Sequence, residues 1–305
     1  MTATGSLRTA VDALSRNPVV VLGALVYALV LLPQRALQLA GVPIVPALLQ
    51  LLTFFVTPFV VAGVVGMAQS ALDGESSLAD LTAVGKDRYV DLLLATILEV
   101  GIQLTFGIVF LIAAVLAMVV GSAGGGPVFF VGVAVVVLLM LVYVAVLFLI
   151  QFYPVAVVVD EAGPVGGITE SVSFVRNNLL STLGYSAITF VLGSLAALPI
   201  TGFVGYQTLT SDSEPVGGGE PSSEPNPFGG GMGPGGNESA APPLGDLFAG
   251  GMELGLSTPE IVAISLVSVA TTALFFAFRH TYATAFYRRH GRSVEERVLG
   301  ADDLE

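Results

Sequence analysis

Apolar residues run along this chain in long unbroken stretches, and six of them reach the roughly 20 residues that a bilayer span requires. They are Pro18 to Ala40, Pro46 to Ser70, Glu99 to Val120, Val128 to Phe152, Leu180 to Tyr206 and Pro259 to Phe278. Pro58 and Pro199 fall inside the second and fifth stretches and are read as kinks, because neighbouring helices can satisfy the backbone groups a proline frees. The sixth opens with Ser257-Thr258-Pro259-Glu260, which places a polar cap, a proline at the first helical position and an acid in the first turn.

Three shorter patterns precede the first, third and fifth stretches. Leu7, Ala10, Val11 and Leu14 recur at helical spacing and end in Arg16-Asn17. Leu78, Leu81 and Val84 end in Lys86-Asp87-Arg88, and Ile168, Val172, Val175 and Leu179 bracket Arg176-Asn177. Each is read as an amphipathic surface helix leading into a transmembrane hairpin. The expected fold is therefore an all-α integral membrane protein, with six transmembrane helices arranged as three repeats of surface helix plus hairpin. Gly166-Gly167 interrupts the third pattern, so that surface helix is expected to start late. Internal repeats are common in transporters, where the site lies between them, and they also arise by duplication without transport.

The segment from Gln207 to Ser257 breaks the pattern, being rich in Gly, Pro and Ser with seven acids and no base. It cannot bury enough apolar surface to offset its ordering entropy, so a disordered loop is expected. The chain divides into a membrane domain over 1–206, this loop over 207–257, the sixth span over 258–290 and a tail over 291–305. Asn237-Glu238-Ser239 in the loop is a glycosylation sequon.

Composition agrees with lipid as the solvent: 54% of residues are hydrophobic and 11% charged, against about 25% charged in soluble domains. Eleven bases stand against 23 acids, a net charge of −12, and Lys86 is the only lysine. That balance argues against nucleic acid as a partner, which needs basic clusters. The bases also set the orientation, since Lys and Arg stay on the cytoplasmic side. With both termini inside the cell membrane, Arg35 alone falls outside. It lies 17 residues past Pro18, about 26 Å along a helix, and is expected to snorkel at the outer headgroups. The run Val19 to Leu32 after Arg8 and Arg16 also has the look of a signal-peptide core, but no clear small-residue cleavage site follows it.

Little chemistry is visible. Cysteine is absent, which removes disulfides and thiolate sites. His280 and His290 lack convergent metal-ligand spacing and read as packing residues. Gly121 and Gly124 to Gly126 form a turn rather than a phosphate loop. No cofactor is implied. Asp91, Glu99 and Gln103 are the candidate intramembrane polar face, with Glu99 placed at the inner boundary where it can stay hydrated. Arg279, Arg288, Arg289 and Arg292 form a candidate collar for anionic lipid headgroups, the bilayer being the one partner that the sequence names. A further membrane-protein partner is an open expectation.

The most specific stretch comprises Gln151-Phe152-Tyr153-Pro154-Val155-Ala156, Asp160-Glu161, Gly163-Pro164-Val165 and Ser171-Val172-Ser173-Phe174-Val175-Arg176-Asn177-Asn178. It resembles a family of uncharacterised haloarchaeal membrane proteins related to the membrane domain of some glycerophosphoryl diester phosphodiesterases. The acidic, lysine-poor composition resembles that of halophile proteins. The resemblance implies a membrane module without known chemistry, because phosphodiester hydrolysis belongs to a separate barrel of about 250 residues that has no counterpart here.

The expected function is a non-enzymatic scaffold or accessory protein, with a permease for a small or lipid-like solute as the alternative. Polar groups converging in mid-membrane favour the permease; an interior of apolar and small residues favours the scaffold. The expected topology is checked with introduced cysteines, the only thiols in such variants. Cysteine at Ser222 should react with an impermeant reagent on intact cells and cysteine at Ser293 should not; labelling of both rejects the topology.

Overall fold

The absence of water from a bilayer leaves helices as the way to satisfy a spanning backbone without closing a barrel. The computed structural model describes residues 3–42, 44–124, 126–210 and 257–302, and among these residues it contains helices and no strand. In chain order they are α1 (Ala3–Arg16), α2 (Val19–Leu39), α3 (Val45–Asp73), α4 (Leu78–Asp87) and α5 (Tyr89–Gly124). There follow α6 (Gly126–Ile150), α7 (Tyr153–Val159), α8 (Pro164–Asn177), α9 (Leu179–Thr210) and α10 (Thr258–Asp302). Six stretches are long and apolar enough to cross a membrane: Val19–Leu39, Val45–Asp73, Tyr89–Val119, Phe130–Val159, Leu179–Pro199 and Thr258–Gly291. A short helix precedes each pair of long ones, α1 before α2–α3, α4 before α5–α6 and α8 before α9–α10.

Local chemistry explains where these helices begin. Ser77 caps α4 in a reciprocal box, its backbone N–H donating to Asp80 at 2.8 Å. Ser257 caps α10 in the same spirit, with its N–H and hydroxyl donating to Glu260 at 2.8 and 2.6 Å. The start read from Ser257 to Glu260 is thus realised atom by atom. At the end of α2, Gly41 turns the chain with φ of 71°, a region that favours glycine.

Two expectations change. The helix of the third span begins at Tyr89 rather than Glu99, because nothing between them interrupts it. The helix α8 starts at Pro164, not late, although Gly166 and Gly167 lie in its first turns. The reason is tertiary: a Cβ on Gly167 would lie 3.2 Å from the Tyr153 carbonyl oxygen and press on Val157. The glycine that weakens the helix locally is the one that lets it lie against α7.

The core gathers toward the side of the bundle that holds the N-terminus. One cluster joins Val20 and Ala24 of α2, Val61 and Val65 of α3, Leu92 of α5 and Phe276 of α10. A second is aromatic, with Phe152 stacked on Phe286 and edge-on to Phe174. Tyr282 of α10 donates to the Ala3 carbonyl at 3.1 Å, so α1 and the later part of α10 share one side. Asn17 ties the same side together, donating to the Gly74 carbonyl at 3.0 Å and accepting from the Ser76 N–H at 3.1 Å. By contrast, α5 and α6 lean chiefly on each other through Phe106, Phe110 and Tyr143, and expose Leu111, Leu116, Leu138 and Leu141 as a lipid-facing hairpin would.

Small residues let α4 lie close on α3. A Cβ on Gly63 would come within 2.7 Å of Leu81 Cδ1 and 3.1 Å of the Leu81 carbonyl carbon, whereas one on Gly101 meets nothing within 4 Å. Gly63→Val should therefore destabilise the fold by about 1–3 kcal/mol, read as a lower unfolding temperature in detergent. Gly101→Ala should leave that temperature unchanged or slightly raised.

Candidate functional site

Two clusters of polar side chains lie inside the bundle. In the first, Glu99 projects from α5 and is 1% exposed. Tyr153, at the start of α7, donates its hydroxyl to Glu99 at 2.8 Å, and Gln103 donates its amide at 3.3 Å. Thr96, one turn before Glu99, lies 3.3 Å from the same Tyr153 hydroxyl and donates to the Leu92 carbonyl at 2.8 Å. Thr96, Glu99 and Gln103 share a face because they fall at helical spacing, and the break between α6 and α7 aims Tyr153 at that face. Ser171 of α8 supports the break by accepting from the Phe152 N–H at 3.0 Å and donating to the Leu149 carbonyl at 2.9 Å.

This placement corrects the sequence reading of Glu99. The carboxyl is enclosed by protein rather than open to solvent, because α7 covers its face of α5. Of the expected stripe, Gln103 joins Glu99 and Asp91 does not. Asp91 is half-buried in the first turn of α5 and lies eight residues, about 12 Å, below Glu99.

The second cluster was missed from sequence. Gln34 of α2 donates to Gln50 of α3, and Thr53 donates to Gln34 at 3.4 Å. Beside them Arg35 donates through Nη1 to Ser268 at 2.8 Å and to Thr272 at 2.7 Å, both on α10. Ser268 and Thr272 lie in the middle of the apolar stretch from Pro259 to Phe278, about 15 and 21 Å along α10 from Thr258. The Arg35 guanidinium is thus taken up by hydroxyls of α10, a contact that the sequence reading did not foresee. The antiparallel stacking of Tyr27 on Phe276, with centroids 4.2 Å apart, sets the register that puts Arg35 opposite Ser268. The one available signal was the i, i+3, i+7 spacing of Ser265, Ser268 and Thr272 on a single helical face.

The arginines of the expected collar meet different surroundings. Arg279 is half-buried close to Tyr185, Arg288 pairs with Asp73 at 2.8 Å, and the Arg289 guanidinium lies over Gly5 of α1. The side chain of Arg292 lies outside the described residues, as do Asn237 and the Gly- and Pro-rich segment from 211 to 256. His280 packs on Phe276 and His290 on Phe286, each with ring centroids 4.3 Å apart. Among the described residues no three His, Asp or Glu side chains converge.

Fold and buried polar clusters together define a multi-pass α-helical membrane protein. A family profile described as a domain of unknown function (DUF7847) matches residues 1–290, and the chain belongs to that family. No curated protein and no solved structure matches it.

The Glu99–Tyr153 contact is checked by a double-mutant cycle. Tyr153→Phe should cost about 1–3 kcal/mol of stability by leaving a buried acceptor short of a donor. Combined with Glu99→Gln, thermal unfolding should reveal a coupling of at least about 0.5 kcal/mol; additive effects would mean that the contact contributes nothing.

Proposed function

We propose that the protein is a non-enzymatic permease for a small or lipid-like solute. The observation that carries this reading is Arg35 hydrogen-bonded to two hydroxyls within the apolar stretch of α10, beside the buried Gln34–Gln50–Thr53 group. A guanidinium inside a bundle is costly to keep there, and ionisable groups in such places mark solute pathways or proton relays. Glu99 is a second group of the same kind. The clusters sit on separate hairpins, α2–α3 and α5–α6, as expected for sites built between repeats. Both termini are assigned to the cytoplasm of a cell membrane, on the side where ten of the eleven bases fall. Arg279, Arg288 and Arg289 are then near anionic headgroups of the inner leaflet.

A second reading, a scaffold or accessory subunit, is favoured by the α5–α6 hairpin, whose apolar faces are exposed along most of their length. The resemblance to membrane domains that accompany phosphodiesterases supports it as well. An experiment separates the two. Proteoliposomes should equilibrate at least one solute from a labelled panel of organic acids and amphiphiles faster than empty liposomes. Arg35→Gln should remove that flux while the protein stays folded. No accelerated solute, together with one discrete protein adduct from photo-crosslinkers at Leu116 and Leu138 in native membranes, would replace the permease by the accessory role.

A further inference from the structure

The surface helix α8 carries a feature that stands apart from both buried clusters. Thr169, Val172, Ser173, Arg176 and Asn177 line a shallow groove of about 300 Å³ on its outward face. Their spacing of i, i+3, i+4, i+7 and i+8 puts them on one side of the helix. Gly167, Ser171, Phe174 and Val175 are buried on the other side. Glu170, the acid of α8, is not among the lining residues.

The groove keeps hydrogen-bond donors available. Among the described residues Arg176 makes no hydrogen bond or ion pair, although 23 acids outnumber 11 bases in the chain and Arg88 and Arg288 are each paired with a carboxylate. Asn177 donates one amide proton to Ser173 at 3.5 Å, which leaves its second proton and the Ser173 hydroxyl proton to donate. The Thr169 hydroxyl donates to the Gly166 carbonyl at 2.9 Å, so Thr169 serves as a wall. A guanidinium fork flanked by a hydroxyl and an amide is a donor set for phosphate oxygens, which the fork takes in pairs.

The position of the groove selects the source of that phosphate. The helix α8 ends at Asn177, and the membrane span Leu179–Pro199 begins two residues later. Leu180 and Leu183, near the start of that span, are 86% and 53% exposed, so lipid chains cover them. Polar donors thus lie on one side of the boundary and bare leucines on the other, the order in which a phospholipid carries its headgroup and chains. We infer that the α8 groove binds the phosphate of an anionic phospholipid. Arg176 clamps the phosphate oxygens, Ser173 and Asn177 donate to them, and Leu180 and Leu183 pack on the acyl chains. The groove holds a cation and no carboxylate, so it favours an anionic headgroup over a zwitterionic one, whose nitrogen finds no counter-charge there. This site lies on a different helix from Arg279, Arg288 and Arg289 and does not depend on the permease reading.

The test uses the full chain in dioleoyl phosphatidylcholine proteoliposomes doped with phosphatidylglycerol that bears a photoreactive diazirine high on one acyl chain. Mass spectrometry of illuminated samples should place adducts on α8 and around Leu180. Arg176→Gln should lower that labelling about tenfold, Arg176→Lys should retain part of it, and Ser173→Ala should lower it about threefold. Arg8→Gln, which removes another exposed base from the side of the bundle that holds α8, should leave it unchanged. Arg176 and Ser173 are exposed, so their variants should unfold at the wild-type temperature in detergent. A diazirine diacylglycerol with the same chains and no phosphate should not label the groove, and excess glycerol phosphate should not compete. Competition by glycerol phosphate would make a soluble phosphate the occupant and overturn the lipid site. Adducts spread evenly around the bundle, labelling by the diacylglycerol, or equal losses in Arg176→Gln and Arg8→Gln would overturn it as well.

Discussion

A membrane interior offers no water to a polar atom, and most of this architecture follows from that single deficit. The backbone meets it by being helical almost throughout the described residues. Side chains meet it by bonding inside the protein. Thr53, Thr96, Thr105 and Thr189 each donate to the carbonyl four residues before, which removes a donor from the apolar phase at little cost to the helix. Where the helical ladder is interrupted between α6 and α7, Ser171 reaches across from α8 to serve one N–H and one carbonyl together. A break that would be expensive against lipid becomes a fixed feature of the fold.

The same economy explains why the tightest packing and the polar clusters separate in space. The side that holds α1, α4, α7, α8 and the later part of α10 is knit by glycine-mediated contacts, an aromatic cluster and the Asn17 clamp. Ion pairs such as Arg88–Glu161 at 2.5 Å and Arg288–Asp73 at 2.8 Å lie at its edges, where water screens them and their contribution is modest. This packed base holds α2, α3 and α10 in one axial register, and that register brings Arg35 opposite Ser268. The α5–α6 hairpin, which carries Glu99, is anchored at its base by α7 and α8 and is lightly contacted beyond.

Two ionisable side chains of the bundle are hydrogen-bonded by neutral groups, Glu99 by Tyr153 and Gln103 and Arg35 by Ser268 and Thr272. Neutral partners stabilise a charge without cancelling it.

Hydropathy alone determined that the chain spans the membrane six times, where the spans lie to within some residues, and the alternation of short and long helices. Those properties are local sums: each span is decided by its own run of apolar residues, whatever its neighbours do. The caps at Ser77 and Ser257 are equally local. What the sequence left open depends on pairs of residues far apart along the chain. Arg35 and Ser268 are 233 residues apart, and their meeting depends on the axial register of α2 against α10. No single span encodes that register. Glu99 became an enclosed carboxyl through Tyr153, 54 residues away, and Gly167 proved a packing residue only once α7 lay against it. Apolarity selects the membrane as solvent, but the contacts between helices select which polar atoms meet inside it.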